Sequence, residues 1–290
     1  MNVFLINGSP KGSRSNTYRL ASAFVKGLGD VELREVTVSR MDLRSCTGCF
    51  SCWNKTPGQC IYRDDMPQVI ENMLWADIIL WSFPLYYFSV PGPLKNLMDR
   101  QLPMTMPFMV ADSESGSHPS RYDMSGKRHV VISTCGFYTA KGNYDGVTAI
   151  FDHLCGKDNY TAIFCGQGEL FRVKELSART DEYLSYVTQA GSEFAERGIS
   201  RETRGKLDAL LYPREVFEAM ADASWGIEKT GERSEESLIF TRQMAALYNP
   251  SAWPGKDIVL EMHYTDIDKT YQIIRVGEKS DIRLFFHNDN

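Results

Sequence analysis

The sequence predicts an α/β protein: a five-stranded, doubly wound parallel sheet followed by a small C-terminal α+β appendage. Three observations predict it. Strand-like apolar runs alternate with amphipathic helical runs from residue 1 to about 198, the pattern of βαβ units with right-handed crossovers. Two of the runs, "DIILWSFP" (77–84) and "RHVVISTCG" (128–136), are almost continuously apolar, as strands buried on both faces must be. Beyond residue 198 the alternation stops, and helical stretches give way to period-2 segments.

Taken in order, "VFLING" (3–8) is a short β-rich run ending in Gly, and "NTYRLASAFVKGLG" (16–29) is amphipathic, with Leu20, Phe24 and Leu28 four residues apart. "VELREVTVS" (31–39) alternates apolar with polar residues and reads as a half-buried edge strand. "DDMPQVIENMLWA" (64–76) opens on acidic N-cap candidates and sets Val69, Met73 and Ala76 on one face. "VPGPLKNLMDRQL" (90–102) is a helix with Pro near its start. After "RHVVISTCG" come a helix at 143–156, a fifth strand "YTAIFCGQG" (160–168) and a closing helix at 181–198 with Gly198 beyond its end. Residues 103–127, rich in Ser, Met and Pro, form a long insertion of the kind that serves as a lid or interface arm or is disordered. The division expected is therefore a sheet domain over 1–198 and an appendage over 199–290. The appendage should hold two or three helices, an antiparallel hairpin from "KDIVLEMHYTD" and "KTYQIIRV", and a third short strand "DIRLFF".

Of the 290 residues, 43% are hydrophobic and 24% charged, as in globular proteins. A net charge of −5 argues against a general nucleic-acid binder. No apolar run approaches the roughly 20 residues of a membrane span. The chain starts directly on a strand-like run without a signal-type leader, so a cytoplasmic location is expected. In that compartment clustered cysteines act as metal ligands or redox groups rather than structural disulfides.

In an open parallel sheet, ligands bind outside the carboxyl ends of the strands. The loop after the first strand, "NGSPKGSRSNT" (7–17), is packed with Gly, Ser, Asn and Thr and leads into a helix. Backbone amides at a helix start suit a phosphate dianion, with a Ser-rich capping loop as the alternative. No Gly-Lys-Ser/Thr closes a Walker A loop, and no G-x-G-x-x-G fingerprint is present. After "DIILWSFP" come three adjacent aromatics, Tyr86, Tyr87 and Phe88, which need something flat to cover: a flavin ring, a neighbouring helix or a subunit interface. "STCGFYTAKGN" (133–143) offers Gly136 for close backbone approach, and Phe137.

Together, "GSPKGSRSNT", "CTGCFSCW", "CIYRDDM" and "PLYYFSVPGPLKNLMDR" resemble the NAD(P)H-dependent FMN reductase-like branch of the flavodoxin superfamily, and within it the iron–sulfur flavoproteins. The resemblance covers residues 1–198. It implies a flavodoxin-like fold and an FMN-dependent oxidoreductase that accepts a hydride from NAD(P)H and passes electrons to a small-molecule or protein acceptor. It also implies a homodimer or homotetramer. The second function implied is an electron carrier between protein partners. On this resemblance Ser9, Lys11, Ser13, Ser15, Asn16 and Thr17 form the phosphate loop; Pro84, Leu85, Tyr86, Tyr87 and Phe88 the isoalloxazine loop; and Thr134, Cys135, Gly136 and Phe137 a third flavin contact. No side chain is assigned a catalytic role, because the flavin itself carries the chemistry.

Cys46, Cys49 and Cys52 recur every third residue, and Cys60 follows. Three thiolates at this spacing on a tight loop match three corners of a 4Fe–4S cluster, and Cys60 fits the fourth. Zinc in a closed four-thiolate site and a metal-free loop with a Cys46/Cys49 redox pair are the alternatives. Cys135, Cys155 and Cys165 lie near element ends and read as small buried residues, with Cys135 also within the third flavin contact.

Overall fold

The computed structural model describes residues 1–111, 116–226, 234–247, 257–276 and 279–285. Residues 112–115 of the predicted insertion lie outside the described residues, as do Tyr248, Lys256 and Phe286 at the ends of predicted elements. The chain forms two compact units, Met1–Leu211 and Tyr212–Asn290.

In the first unit, β1 (Asn2–Asn7), β2 (Glu32–Thr37), β3 (Ile78–Pro84), β4 (Arg128–Thr134) and β5 (Tyr160–Cys165) make one sheet in the order β2-β1-β3-β4-β5, with every pairing parallel. The chain reverses direction across the sheet between β1 and β3, so their two carboxyl-end loops flank the crevice where such sheets bind ligands. The two long apolar runs are the buried central strands β3 and β4, while β2 is the half-exposed edge its alternation predicts.

Side-chain alternation divides the core. Phe4, Ile6, Ile79, Trp81, Phe83 and Val131 face α3 (Met66–Trp75), α4 (Gly92–Asp99) and α5 (Asp145–Cys155). The opposite face meets α1 (Asn16–Gly27), against which α6 (Ser177–Glu196) packs. These two helices touch backbone to backbone. A Cβ on Gly191 would lie 2.1 Å from the Phe24 carbonyl oxygen, and one on Gly27 would lie 1.9 Å from that of Thr188. A mid-helix glycine costs about 1 kcal/mol of helix propensity, and here that cost allows the close approach. α6 begins four residues earlier than the sequence pattern predicts, preceded by short 3-10 turns at Gly168–Arg172 and Lys174–Leu176.

One further helix, α7 (Arg201–Asp208), packs on β5 and α6. Arg204 donates to the Ala162 carbonyl of edge strand β5 at 2.6 Å, and the Tyr183 hydroxyl donates to the Leu207 carbonyl at 3.0 Å. In the second unit, α8 (Arg214–Trp225) packs on α9 (Glu236–Ala246), and α9 lies on an antiparallel sheet of β6 (Ile258–Tyr264), β7 (Lys269–Val276) and β8 (Lys279–Phe285). Hydroxyl pairs Ser237–Tyr271 at 3.2 Å and Thr241–Tyr264 at 2.9 Å join helix to sheet.

One capping expectation changes. Asp65, the N-cap residue of α3, makes no side-chain cap bond and accepts the Asp42 amide at 2.8 Å, whereas Asp64 accepts the Met66 amide at the helix start at 3.2 Å and also pairs with Arg100. Asp65 thus serves a distant backbone amide, while the two oxygens of Asp64 serve both the helix start and a buried cation.

Gly191→Ala should lower stability by about 3 kcal/mol or more, because its methyl meets backbone that cannot yield; urea unfolding checks this, and a midpoint within error of wild type would refute the close approach. A second expectation concerns pH. Trp81 donates its indole N–H to His129 Nδ1 at 3.4 Å, and burial lowers the His129 pKa to about 4. Between the unfolded value of roughly 6.5 and about 4, only the unfolded chain binds this proton. The stability contribution is therefore complete above pH ~6.5 and declines by about 3 kcal/mol as pH falls toward 4. His129→Gln should flatten that slope in denaturant titrations across the range.

Candidate functional site

The loop after β1 is built by short-range bonds. Gly8 passes so close to α4 that a Cβ would lie 2.8 Å from Leu94 Cδ2. Asn7 Oδ1 accepts the Ser9 amide at 3.0 Å, and Ser9 Oγ accepts the Lys11 amide at 3.3 Å. A single 3-10 turn, Gly12–Arg14, with Gly12 at φ +58°, then brings the chain to Ser15, whose Oγ caps α1 by accepting the Tyr18 amide at 3.3 Å. Ser15 therefore serves the helix, whereas Lys11 and Ser13 are exposed beside its N-terminus. The first turn of α1 carries no acidic residue, so its amides face the loop without a competing anion.

Asn16 and Thr17 turn to the other loops. Asn16 Nδ2 donates to the Gly168 carbonyl at 2.7 Å, and Thr17 Oγ1 lies 2.5 Å from Thr134 Oγ1. A Cβ on Gly168 would sit 2.7 Å from Thr134 Cβ, so this contact needs glycine. Gln167, in the left-handed region at φ 56°, donates its amide to the Phe137 carbonyl at 2.7 Å and its Nε2 to that of Tyr138 at 3.1 Å. Asn7, Gln167 and Gly168 were missing from the candidates read in sequence. Asn7 and Gly168 stand at strand ends, the one signal that could have found them; no local pattern marks Gln167. Asn7 Nδ2 is buried without a partner, as is Ser82 Oγ on the register neighbour in β3.

The aromatic loop is a tight reversal. Tyr86 and Ser89 exchange both backbone hydrogen bonds at 3.0 Å, which puts Tyr87 at φ 50° and Phe88 at φ 62°. Asn-Gly normally occupies such a turn, and each bulky residue there costs of order 1 kcal/mol. The turn nevertheless leaves Tyr87 98% exposed, with Tyr86 and Phe88 about half exposed. Phe88 stacks on Phe137 at 5.5 Å, and the Leu85 amide bonds the Thr134 carbonyl at 2.8 Å, so loops 84–88 and 134–137 form one aromatic rim. Pro84 ends β3 and Gly136 is open to solvent. The Cys135 side chain points inward: burial raises its thiol pKa, and its Sγ contacts the Thr139 carbonyl at 3.8 Å. Burial likewise pushes Cys155 and Cys165 up to about 12.

The four cysteines of the loop between β2 and α3 do meet. Gly48 and Phe50 adopt positive φ, curling the chain into the short helix α2 (Ser51–Asn54). Cys46, Cys49, Cys52 and Cys60 then line one small recess with Tyr62 and Arg100. All four are free thiols. Hydrogen bonds from the Ser51 amide and hydroxyl hold Cys49 below the ordinary thiol pKa, while burial, and then the neighbouring Cys60, raise Cys52. Among the described residues no three His, Cys, Asp or Glu side chains converge on a single ion. The donor set fits a centre that takes one thiolate at each of four corners better than a one-ion site.

What fixes the loop is a buried ion pair. Arg100, at the end of α4, and Asp64 have side chains 1% and 0% exposed. Nη1 donates to Asp64 Oδ2 at 2.6 Å, and Nη2 to Oδ1 at 3.0 Å. Nη1 also bonds the Arg44 carbonyl, and Asp64 accepts the amides of Arg44 at 3.1 Å and Met66 at 3.2 Å. The predicted insertion flanks the same loop. Trp53 donates to the Leu102 carbonyl at 3.1 Å, its ring lies 4.7 Å from that of His118, and Arg121 ties the arm's two sides through the Pro103 and Thr105 carbonyls.

The flavodoxin-like fold family matches residues 1–198, and the chain belongs to it. An iron–sulfur flavoprotein of Methanocaldococcus jannaschii is 41% identical over 101 residues, which are 34% of this chain and 50% of that one. An FMN-dependent NAD(P)H:quinone oxidoreductase of Pseudomonas aeruginosa is 28% identical over 149 residues, 46% of this chain and 68% of that one. Among solved structures, an NAD(P)H:quinone oxidoreductase from Methanothermobacter marburgensis aligns with a TM-score of 0.50 at 17% identity, over 68% of this chain and 98% of that one, a likeness of fold. The matched segment spans about half the length of the iron–sulfur flavoprotein. Among the described residues no helix is long and apolar enough to cross a membrane.

Asp64→Asn should destabilise the protein by about 3 kcal/mol or more, because it leaves Arg100 buried and uncompensated. Burial alone would raise the Asp64 pKa, but Arg100 and the Arg44 and Met66 amides outweigh it and hold the carboxyl below its ordinary value. Its contribution is therefore complete above about pH 4 and lost as pH falls below that. Thermal melts of both proteins should differ at pH 7 and converge on acidification.

Proposed function

We propose that this chain is an FMN-dependent oxidoreductase that takes a hydride from NAD(P)H and passes the electrons to a small-molecule or protein acceptor. The observation that carries the reading is the convergence of three loops at one sheet edge, residues 9–17, 84–88 and 134–137, tied together through Thr17–Thr134 and Phe88–Phe137, with Asn16 bonded to Gly168 beyond β5. The names of the relatives support it. FMN would supply two-electron uptake as hydride and release of those electrons singly or in pairs. The N-terminal amides of α1, with Ser13 and Lys11 beside them, would hold the phosphate. The rim of Tyr86, Tyr87, Phe88 and Phe137 would cover the ring system and exclude water from one side, and exposed Gly136 lets the backbone come close.

A second reading is favoured by one observation, the shared recess of Cys46, Cys49, Cys52 and Cys60. There the four thiolates would hold a 4Fe–4S cluster, and the protein would carry electrons between partners one at a time. The exposed rim also supports assembly of the chain as a homodimer or homotetramer.

Protein purified without air should show a flavin spectrum, contain iron and acid-labile sulfide, and be bleached by NADH or NADPH in stopped flow. No uptake of added FMN would end the flavin reading, and flavin without iron or sulfide would end the carrier reading. Ser13→Asp should weaken FMN binding about tenfold, roughly 1.4 kcal/mol, by placing a carboxylate beside the phosphate. The same change should leave the melting temperature unchanged or slightly raised, since an acidic group suits a helix N-terminus.

A further inference from the structure

We propose that Arg100 is a positioning residue for the four-cysteine centre, its buried Nε–H being the donor held for a sulfur at the Cys60 side of the recess. The inference rests on the four-thiolate reading above. A guanidinium has five N–H donors in a rigid fork. At Arg100 both terminal nitrogens are engaged, Nη1 with the Arg44 carbonyl and Asp64, and Nη2 with Asp64. Nε is buried and bonds nothing in the protein. An unmet buried donor costs about 1–3 kcal/mol.

Position explains what the donor is for. Arg100 lines the same recess as all four cysteines, and its side chain is 1% exposed, so water does not compete for Nε. Burial would lower the Arg100 pKa, but Asp64 and then Cys60, which lines the same recess, outweigh it and raise it. The other charged residue lining the recess, Asp99, is half exposed and paired with Lys95 at 2.6 Å. Asp64 sets the plane of the fork and neutralises its net charge. What the pair offers the recess is therefore an oriented N–H dipole rather than a free positive charge. A thiolate or sulfide sulfur accepting that N–H gains a charge-assisted bond.

The consequence is electronic. One-electron reduction of a centre held there adds a negative charge and breaks no bond; the electron comes from the reduced flavin of the reading above. A donor aimed at a sulfur stabilises the reduced form and raises the potential. The pair would then keep the centre reducible by the flavin, a role separate from holding the loop in place.

The test uses the full chain with FMN bound, reconstituted with ferrous iron and sulfide under argon. Arg100→Lys keeps the charge and the Asp64 partner but lacks Nε. The double variant Arg100→Met/Asp64→Leu removes the whole pair without leaving a buried charge. Both are expected to bind iron and sulfide and to show a tenfold shift toward the oxidised form at a given potential, about 59 mV lower for a one-electron centre. A merely structural role would be rescued by lysine, so a wild-type potential in a folded Arg100→Lys protein would overturn the inference. Wild-type protein labelled with nitrogen-15 arginine should show a nitrogen-15 coupling to the reduced centre in pulsed EPR. Absence of that coupling would overturn it however the variants fold. If the wild-type chain takes up neither iron nor sulfide, the four-thiolate reading falls and this inference with it.

Discussion

The buried pair of Asp64 and Arg100 decides where the cysteine loop meets the sheet domain. Its energetics explain why both partners are so fully bonded. A charge removed from water costs several kcal/mol, and Coulomb attraction alone recovers this only with good geometry and satisfied lone pairs. Here the carboxylate accepts four hydrogen bonds, two from the guanidinium and two from backbone amides on either side of the loop. The pair thus joins three segments that are far apart in sequence: the loop's entrance at Arg44, its exit at Met66 and the end of α4. Tyr62 lies under Arg100 at 5.2 Å and under Arg44 at 5.6 Å, adding two cation–π contacts to the same junction.

The candidate flavin site depends on a different constraint, the parallel register of β1, β3, β4 and β5. Register places Asn7 beside Ser82, Pro84 beside Thr134, and Thr134 beside Cys165, so the loops that follow leave from neighbouring points. Close backbone contacts then lock them, at Gly8 against α4 and at Gly168 against Thr134. The conformational strain at Tyr87 and Phe88 belongs to this edge. Left-handed backbone at two bulky residues persists only where surrounding bonds over-determine it, and the paired bonds between Tyr86 and Ser89 do so.

Most of the fold was legible in the sequence because its signals are local. Continuous apolar runs marked β3 and β4, alternation marked β2, and four-residue spacing marked α1. The same holds for the loops that carry chemistry, since a Gly/Ser-rich stretch, three adjacent aromatics and a cysteine repeat are visible without coordinates. Local rules misled at Asp65, which stands at the N-cap position but does not cap. Its carboxylate bonds the Asp42 amide, 23 residues away, while Asp64 bonds the helix start and also Arg100, 36 residues away. Ser15, Asn16 and Thr17 read alike as phosphate-loop residues, yet one caps its helix and two bond another loop.

The sequence by itself determined which segments are strands, which loops follow them and what donor types those loops hold, because periodicity and residue chemistry are properties of short stretches. Only the tertiary structure decided how those donors are used. It bonded Thr17 to Thr134, turned Cys135 inward, drew Cys60 to the same recess as Cys46, and left Arg100 Nε buried without a partner in the protein. Each of these outcomes is a contest among partners distant along the chain, settled by burial and by which hydrogen bonds the fold leaves unmet.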